Sequence, residues 1–251
     1  MKMVYPVSRN SFRRPQRSRR ARWPWILALV LVVLALLVFV FLFLQQSFHH
    51  SAVMKAQIVD FLFLLEDNSE VVLIRNNLQQ RINYVVPIPS SSYEPIRGVS
   101  LDYEDPKQVY ATVESFFGKP DLSFQASLDR EGFAQLKELL DQQSAEVQDA
   151  AFSAEGLVTV LRGLPLGLLE PLFFPTVRKA LPQLLQSSFS ERAFYRLVDQ
   201  LAHYAIKTIP VSFMTRHPIQ ITVRSGMETQ TLQRWYIDEK SLKTIKEFME
   251  N

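Results

Sequence analysis

The feature that most constrains this chain is an apolar run over residues 23–44. Every one of its 22 residues is apolar except Pro24. A helix of that length extends about 33 Å, enough to cross a hydrocarbon core roughly 30 Å thick. The sequence therefore predicts a transmembrane helix over residues 23–44.

A cleavable signal peptide is the alternative interpretation of this run. The apolar region of a signal peptide is about 7 to 15 residues long and ends in small residues before the cleavage site. Here the run is longer and ends in Phe43 and Leu44, followed by Gln45 and Gln46, which make a poor cleavage site. An uncleaved anchor is the favoured prediction.

Charge is distributed unevenly along the chain. Residues 1–22 contain Lys2, seven arginines and no acid, so this tail carries +8, whereas the other 229 residues hold 20 basic and 25 acidic side chains. The positive-inside rule then leaves the N-terminus in the cytoplasm and residues 45–251 outside. A nucleic-acid or anionic-lipid patch is the alternative for the arginines. The net charge of −5 on the remainder argues against a nucleic-acid-binding domain.

The chain divides into four parts on these grounds. We expect a basic cytoplasmic tail (1–22), a transmembrane helix (23–44), a polar stalk (45–55) and one outer domain (56–251). About 195 residues are enough for one domain with its own core. The absence of cysteine excludes disulfides, thiolate metal sites and a cysteine nucleophile.

Strand and helix patterns alternate in the outer domain. Apolar or alternating runs predict strands, and cap residues followed by periodic apolar positions predict helices. The predicted strands cover residues 59–65, 70–75, 82–86, 122–128, 156–161 and 219–223. The predicted helices follow Asp105, Asp129, Ser190 and Asp238, and the one after Ser190 extends towards Pro210. This order indicates an α/β or α+β fold with a mixed central sheet flanked by helices.

Catalytic motifs are absent from the sequence. It contains no glycine-rich phosphate loop, no His-x-x-x-His pair and no Gly-x-Ser-x-Gly elbow. Asp102, Glu104 and Asp105 form an acidic group that could hold magnesium. Asp105 also precedes Pro106 in the pattern of a helix start, which is the favoured role. We therefore expect no cofactor from these residues.

Residues 156–185 form an unusually apolar segment broken by four prolines. Prolines and the charges of Arg162 and Glu170 exclude a second transmembrane helix. The segment is either ordinary core with an irregular backbone or an apolar groove for a lipid chain or the membrane surface. The candidate lipid-binding residues are Leu161, Leu164, Leu168, Leu172, Phe173 and Phe174.

Three stretches resemble the LytR-CpsA-Psr family of envelope proteins. They are RINYVVPIPSSSY (81–93), GKPDLSFQASLDREGFAQLKELL (118–140) and WYIDEKSLKTIKEF (235–248). The second resembles the family's strand and helix built around an aspartate, a glycine and a phenylalanine, here Asp129, Gly132 and Phe133. The resemblance implies a cytoplasmic N-terminus, one span and an outer α/β domain. It also implies a link to the transfer of glycopolymers from polyprenyl carriers to the cell wall.

The sequence departs from the family's catalytic pattern. Ser90 and Ser91 fall where the family has the arginine and aspartate of its Ile-Pro-Arg-Asp turn. The family's early acidic and arginine motif and its later run of spaced arginines are not evident. These groups clamp pyrophosphate and hold magnesium, which serine cannot do.

Three functions remain open from the sequence. The favoured one is a single-pass cell-envelope protein whose outer domain binds or scaffolds a lipid-linked precursor or a partner protein without catalysis. The second is an active transferase with Mg²⁺, in which the usual ligands are replaced by Arg97, Asp102, Glu104, Asp105 and Arg130. The third is a bitopic assembly factor of a division, secretion or motility complex.

Overall fold

The structure is a computed structural model that describes residues 23–66, 70–101, 106–140, 145–167, 169–225 and 228–250. The chain forms two compact units, residues 1–44 and 45–251. Helix α1 (Trp23–His49) begins in the first unit, and its stretch Trp23–Phe43 is long and apolar enough to cross a membrane. The side chains of that stretch are exposed throughout.

A mixed sheet of five strands organises the outer unit. Its order is β6-β1-β2-β3-β7, and β2 is antiparallel to both β1 and β3. The two outer strands pair in parallel, β6 with β1 and β7 with β3. The strands are β1 (Ile58–Leu65), β2 (Glu70–Asn77), β3 (Ile82–Pro89), β6 (Leu122–Leu128) and β7 (Ala205–Thr208). The predicted fold class, a mixed central sheet flanked by helices, is confirmed.

Side chains from the strands alternate between two buried layers, because successive residues of a strand point to opposite faces. Phe61 and Phe63 of β1 face one core and Leu62 and Leu64 face the other. The first core is covered by α4, α6, α8 and α9, and the second by α3 and α10. These helices are α3 (Pro106–Phe117), α4 (Arg130–Glu138), α6 (Ala154–Gly163), α8 (Pro175–Ala180), α9 (Glu191–His203) and α10 (Glu239–Glu250).

A second, smaller sheet lies beyond the end of β3. Its order is β5-β4-β9-β8. The strands are β4 (Ser92–Glu94), β5 (Val99–Ser100), β8 (Ile219–Ser225) and β9 (Glu228–Tyr236). The hydrogen bond from the Trp235 amide to the Ser91 carbonyl, 2.9 Å long, ties β9 to the turn that follows β3.

The strand predicted for residues 156–161 is wrong, because this stretch lies in helix α6. Ser153 caps the helix by accepting a hydrogen bond from the Gly156 amide at 3.3 Å. Leu157, Val160 and Leu161 then face the first core at helical spacing. The β-branched valines favoured a strand locally, and burial of a helical face overrode that preference.

The helix predicted from Ser190 towards Pro210 begins as expected but ends earlier. Ser190 caps α9 by accepting from the Ala193 amide at 3.2 Å, and the helix stops at His203. Ala205, within the range predicted as helix, instead starts β7 and pairs with Ile82. Pairing with β7 satisfies the backbone groups on the free side of β3, which a longer α9 would leave unpaired.

The outer side of β6 is closed by another part of the chain. Ser127 and Leu185 exchange two backbone hydrogen bonds of 2.8 Å, and the Ser188 amide donates to the Gln125 carbonyl at 2.8 Å. At the opposite side of the sheet, β7 has four residues and carries Lys207. Both sides are therefore short or covered.

The stretch predicted as a stalk, residues 45–55, belongs to the compact outer unit. It contains the end of α1 and helix α2 (Ala52–Lys55). The ring of Phe48 is 2% exposed and packs 5.1 Å from the ring of Tyr195 on α9. The chain is thus fixed to the domain within a few residues of the apolar helix.

Candidate functional site

Polar residues gather where three strands end, a region that we call the carboxyl edge. Leu65 at the end of β1 pairs with Leu128 at the end of β6 and with Glu70 at the start of β2. Glu70 in turn pairs with Pro89 at the end of β3. Ligands of open α/β sheets bind outside the carboxyl ends of the strands, so this edge is the candidate site.

Carboxylates dominate the described part of this edge. Glu70 accepts a 3.3 Å hydrogen bond from the Ala154 amide at the start of α6. Burial raises the pKa of Glu70, and repulsion from Glu155 raises this pKa further. Asp129 accepts from the Gly132 amide at 2.7 Å and caps α4, as predicted. The edge therefore favours a cation or a hydrogen-bond donor over an anion.

The turn after β3 carries hydroxyl groups. Ser90 and Ser91 form this turn, and the Ser91 carbonyl is held by β9. Ser92 is fully buried, and its Oγ has no hydrogen-bond partner among the described residues. Ser90 and Ser91, which fall where the family has its arginine and aspartate, are therefore uncharged.

The structure separates the two described arginines among the predicted catalytic residues. Arg130 is the exposed first residue of α4, so it stands at the carboxyl edge. Arg97 lies in the other layer, where its Nη1 donates to the Ser115 carbonyl near the end of α3 at 2.5 Å. Asp102, Glu104 and Asp105 lie outside the described residues. The proposed replacement set is thus not brought together in the part that the structure describes.

Arg97 lines a small cleft of about 50 Å³ between the β4 strand and α10. Glu94 holds the loop at its wall by accepting the backbone amides of Ile96 at 2.9 Å and Arg97 at 2.7 Å. Lys243 on the opposite wall pairs with Glu239 at 3.0 Å. Within the described ranges, no group of three or more histidine and acidic side chains is placed to hold a metal ion.

Two buried arginines were missed by the sequence interpretation. Arg75 on β2 forms a two-point ion pair with Asp60 on β1, with both nitrogen to oxygen distances at 2.7 Å. Its remaining donors bind the carbonyls of Phe117 at 2.7 Å and Gly118 at 2.8 Å. Charges that interrupt two apolar strands on the same face were the signal for this pair.

Arg196 on α9 is fully buried on the other side of the sheet. It donates to Asn76 Oδ1 at 2.7 Å, to Gln200 Oε1 at 3.0 Å and to the Val53 carbonyl of α2. Burial lowers the pKa of Arg196 to about 10. Both buried guanidinium groups are therefore engaged by the protein itself and are not presented at the carboxyl edge.

The candidate lipid-binding residues divide between core and surface. Leu161, Leu164 and Phe174 belong to the first core, Leu172 is partly buried, and Phe173 is 56% exposed. Leu168 lies outside the described residues. Glu170 lies in the same segment and is fully buried, and its Oε1 accepts a hydrogen bond from the Val177 amide at 2.8 Å. Lipid binding by these residues stays a prediction.

A second cavity, about 220 Å³, lies beside β6 and is lined by Tyr110, Ser123, Gln125 and Ser188. Burial raises the pKa of Tyr110 to about 12, and the charges of Asp60 and Glu114 contribute to this rise. Tyr110 is therefore a neutral hydrogen-bond donor at physiological pH. The polar lining suits a hydrophilic ligand or water rather than a lipid chain.

These features define an α/β domain with helices on both faces of a mixed sheet, preceded by a helix long and apolar enough to cross a membrane. Among solved structures, Bacillus subtilis TagV is similar with a TM-score of 0.52 at 10% identity, over 78% of this chain and 96% of that one. Listeria monocytogenes Lmo1026 is similar with a TM-score of 0.49 at 14% identity, over 80% of this chain and 97% of that one. B. subtilis TagT, solved with octaprenyl pyrophosphate, is similar with a TM-score of 0.47 at 14% identity, over 80% of this chain and 92% of that one.

The likeness to TagV shows that the outer domain has the LytR-CpsA-Psr fold. No family model and no curated protein sequence matches the chain. The predicted resemblance is therefore confirmed at the level of the fold.

Proposed function

We propose that this chain is a single-pass cell-envelope protein whose outer domain binds a lipid-linked envelope precursor or a partner protein without transferring it. The N-terminal tail lies in the cytoplasm and residues 45–251 lie outside the cell membrane. The fold, the apolar helix and the +8 tail support this topology.

The observation that carries the non-catalytic assignment is the chemistry of the carboxyl edge. Ser90 and Ser91 occupy the turn after β3, while Glu70 and Glu155 leave this edge acidic. A pyrophosphate group needs guanidinium forks or a bound metal to offset its charge. Arg75 and Arg196 are buried and bound to groups of the protein, so neither guanidinium group is offered to a pyrophosphate at this edge.

The apolar segment 156–185 supports a lipid chain as the bound part of the precursor. Leu172 and Phe173 bring apolar side chains to the surface directly beside the buried Phe174. A prenyl chain that entered the domain beside Leu172 and Phe173 would remain in contact with apolar side chains. An active transferase that used Arg97 with Arg130 is less favoured, because these arginines lie in different layers.

Native mass spectrometry of the full chain in detergent micelles tests the proposal. The ligands are octaprenyl pyrophosphate, the lipid bound in the TagT structure, and octaprenol as a probe of the chain alone. We expect both to be retained, since the apolar chain provides the affinity. Retention of the pyrophosphate form alone would contradict a non-catalytic site, and retention of neither would remove lipid binding.

Two further measurements separate the parts of the proposal. A phosphatase reporter fused after Asn251 is expected to be active outside the membrane, and a cytosolic reporter would overturn the topology. Incubation with a polyprenyl-linked glycopolymer and wall acceptor is expected to yield no transfer product.

A further inference from the structure

Helix α7 (Glu170–Phe173) presents two large apolar side chains to solvent. Leu169 and Phe173 are each 56% exposed. They stand four residues apart, a spacing that places both on one side of a helical turn. We call this pair the α7 apolar patch. Each of these side chains leaves more than half of its apolar surface without cover from the described residues.

The backbone holds the patch in a fixed orientation on the domain. Phe174 ends α7 in the left-handed conformation, with φ 52° and ψ 43°, and Pro175 starts α8 immediately afterwards. Buried Glu170 accepts the Val177 amide at 2.8 Å and so links the two short helices. The patch is therefore presented by a rigid corner rather than by a free loop.

The patch lies next to the point where the apolar helix enters the domain. The ring of Phe174 packs 6.0 Å from the ring of Phe48. Five peptide units join Phe48 to Phe43, the last residue of the membrane-crossing stretch, so the two are at most about 18 Å apart. Chain connectivity alone thus keeps the patch close to the end of the span.

We propose that Leu169 and Phe173 insert into the interfacial layer of the bilayer that holds α1, so that the outer domain rests on lipid at this corner. The proposal rests on the membrane anchor of the proposed function, and it assigns the exposed side chain of Phe173 to the bilayer rather than to a bound precursor. Apolar side chains that contact the boundary between headgroups and acyl chains bind reversibly and weakly on their own. A short tether raises their effective concentration at the surface, so two side chains are sufficient.

A bilayer is favoured over a protein partner because the anchor guarantees its presence. Arg196 binds the Val53 carbonyl, and Phe48 packs against Tyr195, so residues 48–53 are held against the outer domain. Only the few residues between Phe43 and Phe48 then separate this corner of the domain from the end of the span.

The chain contains no cysteine, so single cysteines can be introduced for labelling without background. The full chain is reconstituted in nanodiscs of equal parts phosphatidylcholine and phosphatidylglycerol. Phe173→Cys and Leu169→Cys each carry a polarity-sensitive fluorophore, and quenching by lipid with a nitroxide near the headgroup is measured. Met214→Cys, at a side chain that is 63% exposed beside β9, is the matched control, and Val33→Cys, measured with a nitroxide near the end of the acyl chain, marks the span.

We expect quenching at Phe173 and Leu169 to exceed quenching at Met214 several-fold and to be accompanied by a blue shift. Equal quenching at the patch and at Met214 overturns the proposal. Protection of the patch from both lipid nitroxide and aqueous iodide also overturns it, because a protein then covers the site. Absence of quenching at Val33 removes the anchor, and with it both this proposal and the proposed topology. Circular dichroism confirms that each variant is folded.

Discussion

Asp60 and Arg75 lie directly opposite each other on β1 and β2 and form a two-point ion pair inside the domain. Their side chains are 5% and 3% exposed. Arg75 also binds the carbonyls of Phe117 and Gly118, where α3 ends. The pair therefore fastens the end of a helix to the middle of the sheet.

Removal of one partner of this pair should destabilise the outer domain strongly. Asp60→Ala leaves a buried guanidinium without its counter-ion, and we expect a loss of about 3–5 kcal/mol in the free energy of unfolding. Urea unfolding followed by circular dichroism measures this loss. Lys243→Ala breaks the exposed pair with Glu239 and is the control, with little change expected. Equal effects of the two substitutions would contradict the structural role of Asp60.

Glu70 should make stability depend on pH in a predictable direction. Burial and Glu155 raise the pKa of Glu70 above its ordinary value of 4.5, so the folded state binds this proton more readily than the unfolded state. Stability then falls as pH rises from 4.5 through the raised pKa. We expect Glu70→Gln to melt at a higher temperature than the natural chain at pH 7, and at the same temperature at pH 4.

Glu138→Gln, at an exposed carboxylate on α4, controls for the change in net charge. Equal melting temperatures at pH 4 but a lower melting temperature of Glu70→Gln at pH 7 would contradict this prediction, because ionised Glu70 would then stabilise the edge.

Arg196 should hold the segment after α1 against the domain. Arg196→Ala leaves Asn76 Oδ1 and the Val53 carbonyl without a donor, at a cost of about 1–3 kcal/mol for each buried group. We expect trypsin to cleave after Lys55 faster in this variant. Arg192→Ala, at an exposed arginine on the same helix, is the control. Unchanged cleavage in Arg196→Ala would show that the segment is held by other contacts.

Gly156 should not tolerate a side chain. A Cβ atom there would lie 1.8 Å from the Ala151 carbonyl oxygen, so the start of α6 would have to move. We expect Gly156→Ala to lose about 3 kcal/mol of stability, at the upper end for overpacking. Gly167→Ala has open space around its Cβ and is the control. Thermal unfolding compares the two, and a stable Gly156→Ala would place α6 differently.

Local signals predicted the elements whose sequence and packing agree. The strands β1, β3 and β6, the helix α3 and the cap of α4 by Asp129 follow directly from apolar runs, proline positions and side-chain caps. Residues 156–161 were mistaken for a strand, although Ser153 and the spacing of Leu157, Val160 and Leu161 already fitted a helix.

Long-range features could not be predicted in the same way. The pairing of Asp60 with Arg75 depends on strand register, and the contacts of Arg196 join residues more than 100 positions apart. The end of α9 depends on the free side of β3, which a local pattern does not contain. The exposed pair Leu169 and Phe173 was counted within an apolar run, and only the folded domain distinguishes it from the core.

The closure of β6 by residues 185–188 and the brevity of β7 have a consequence for neighbouring molecules. In the proposed topology, copies in one membrane diffuse in the same plane and share one orientation. A long unpaired edge strand would pair with the same strand of a neighbouring copy and extend the sheet from one copy to the next. On the β6 side of the five-stranded sheet, backbone groups of Gln125 and Ser127 are hydrogen-bonded to residues 185–188. On the other side, the short strand β7 carries Lys207. Neither edge of the five-stranded sheet therefore offers a long unpaired strand for lateral association.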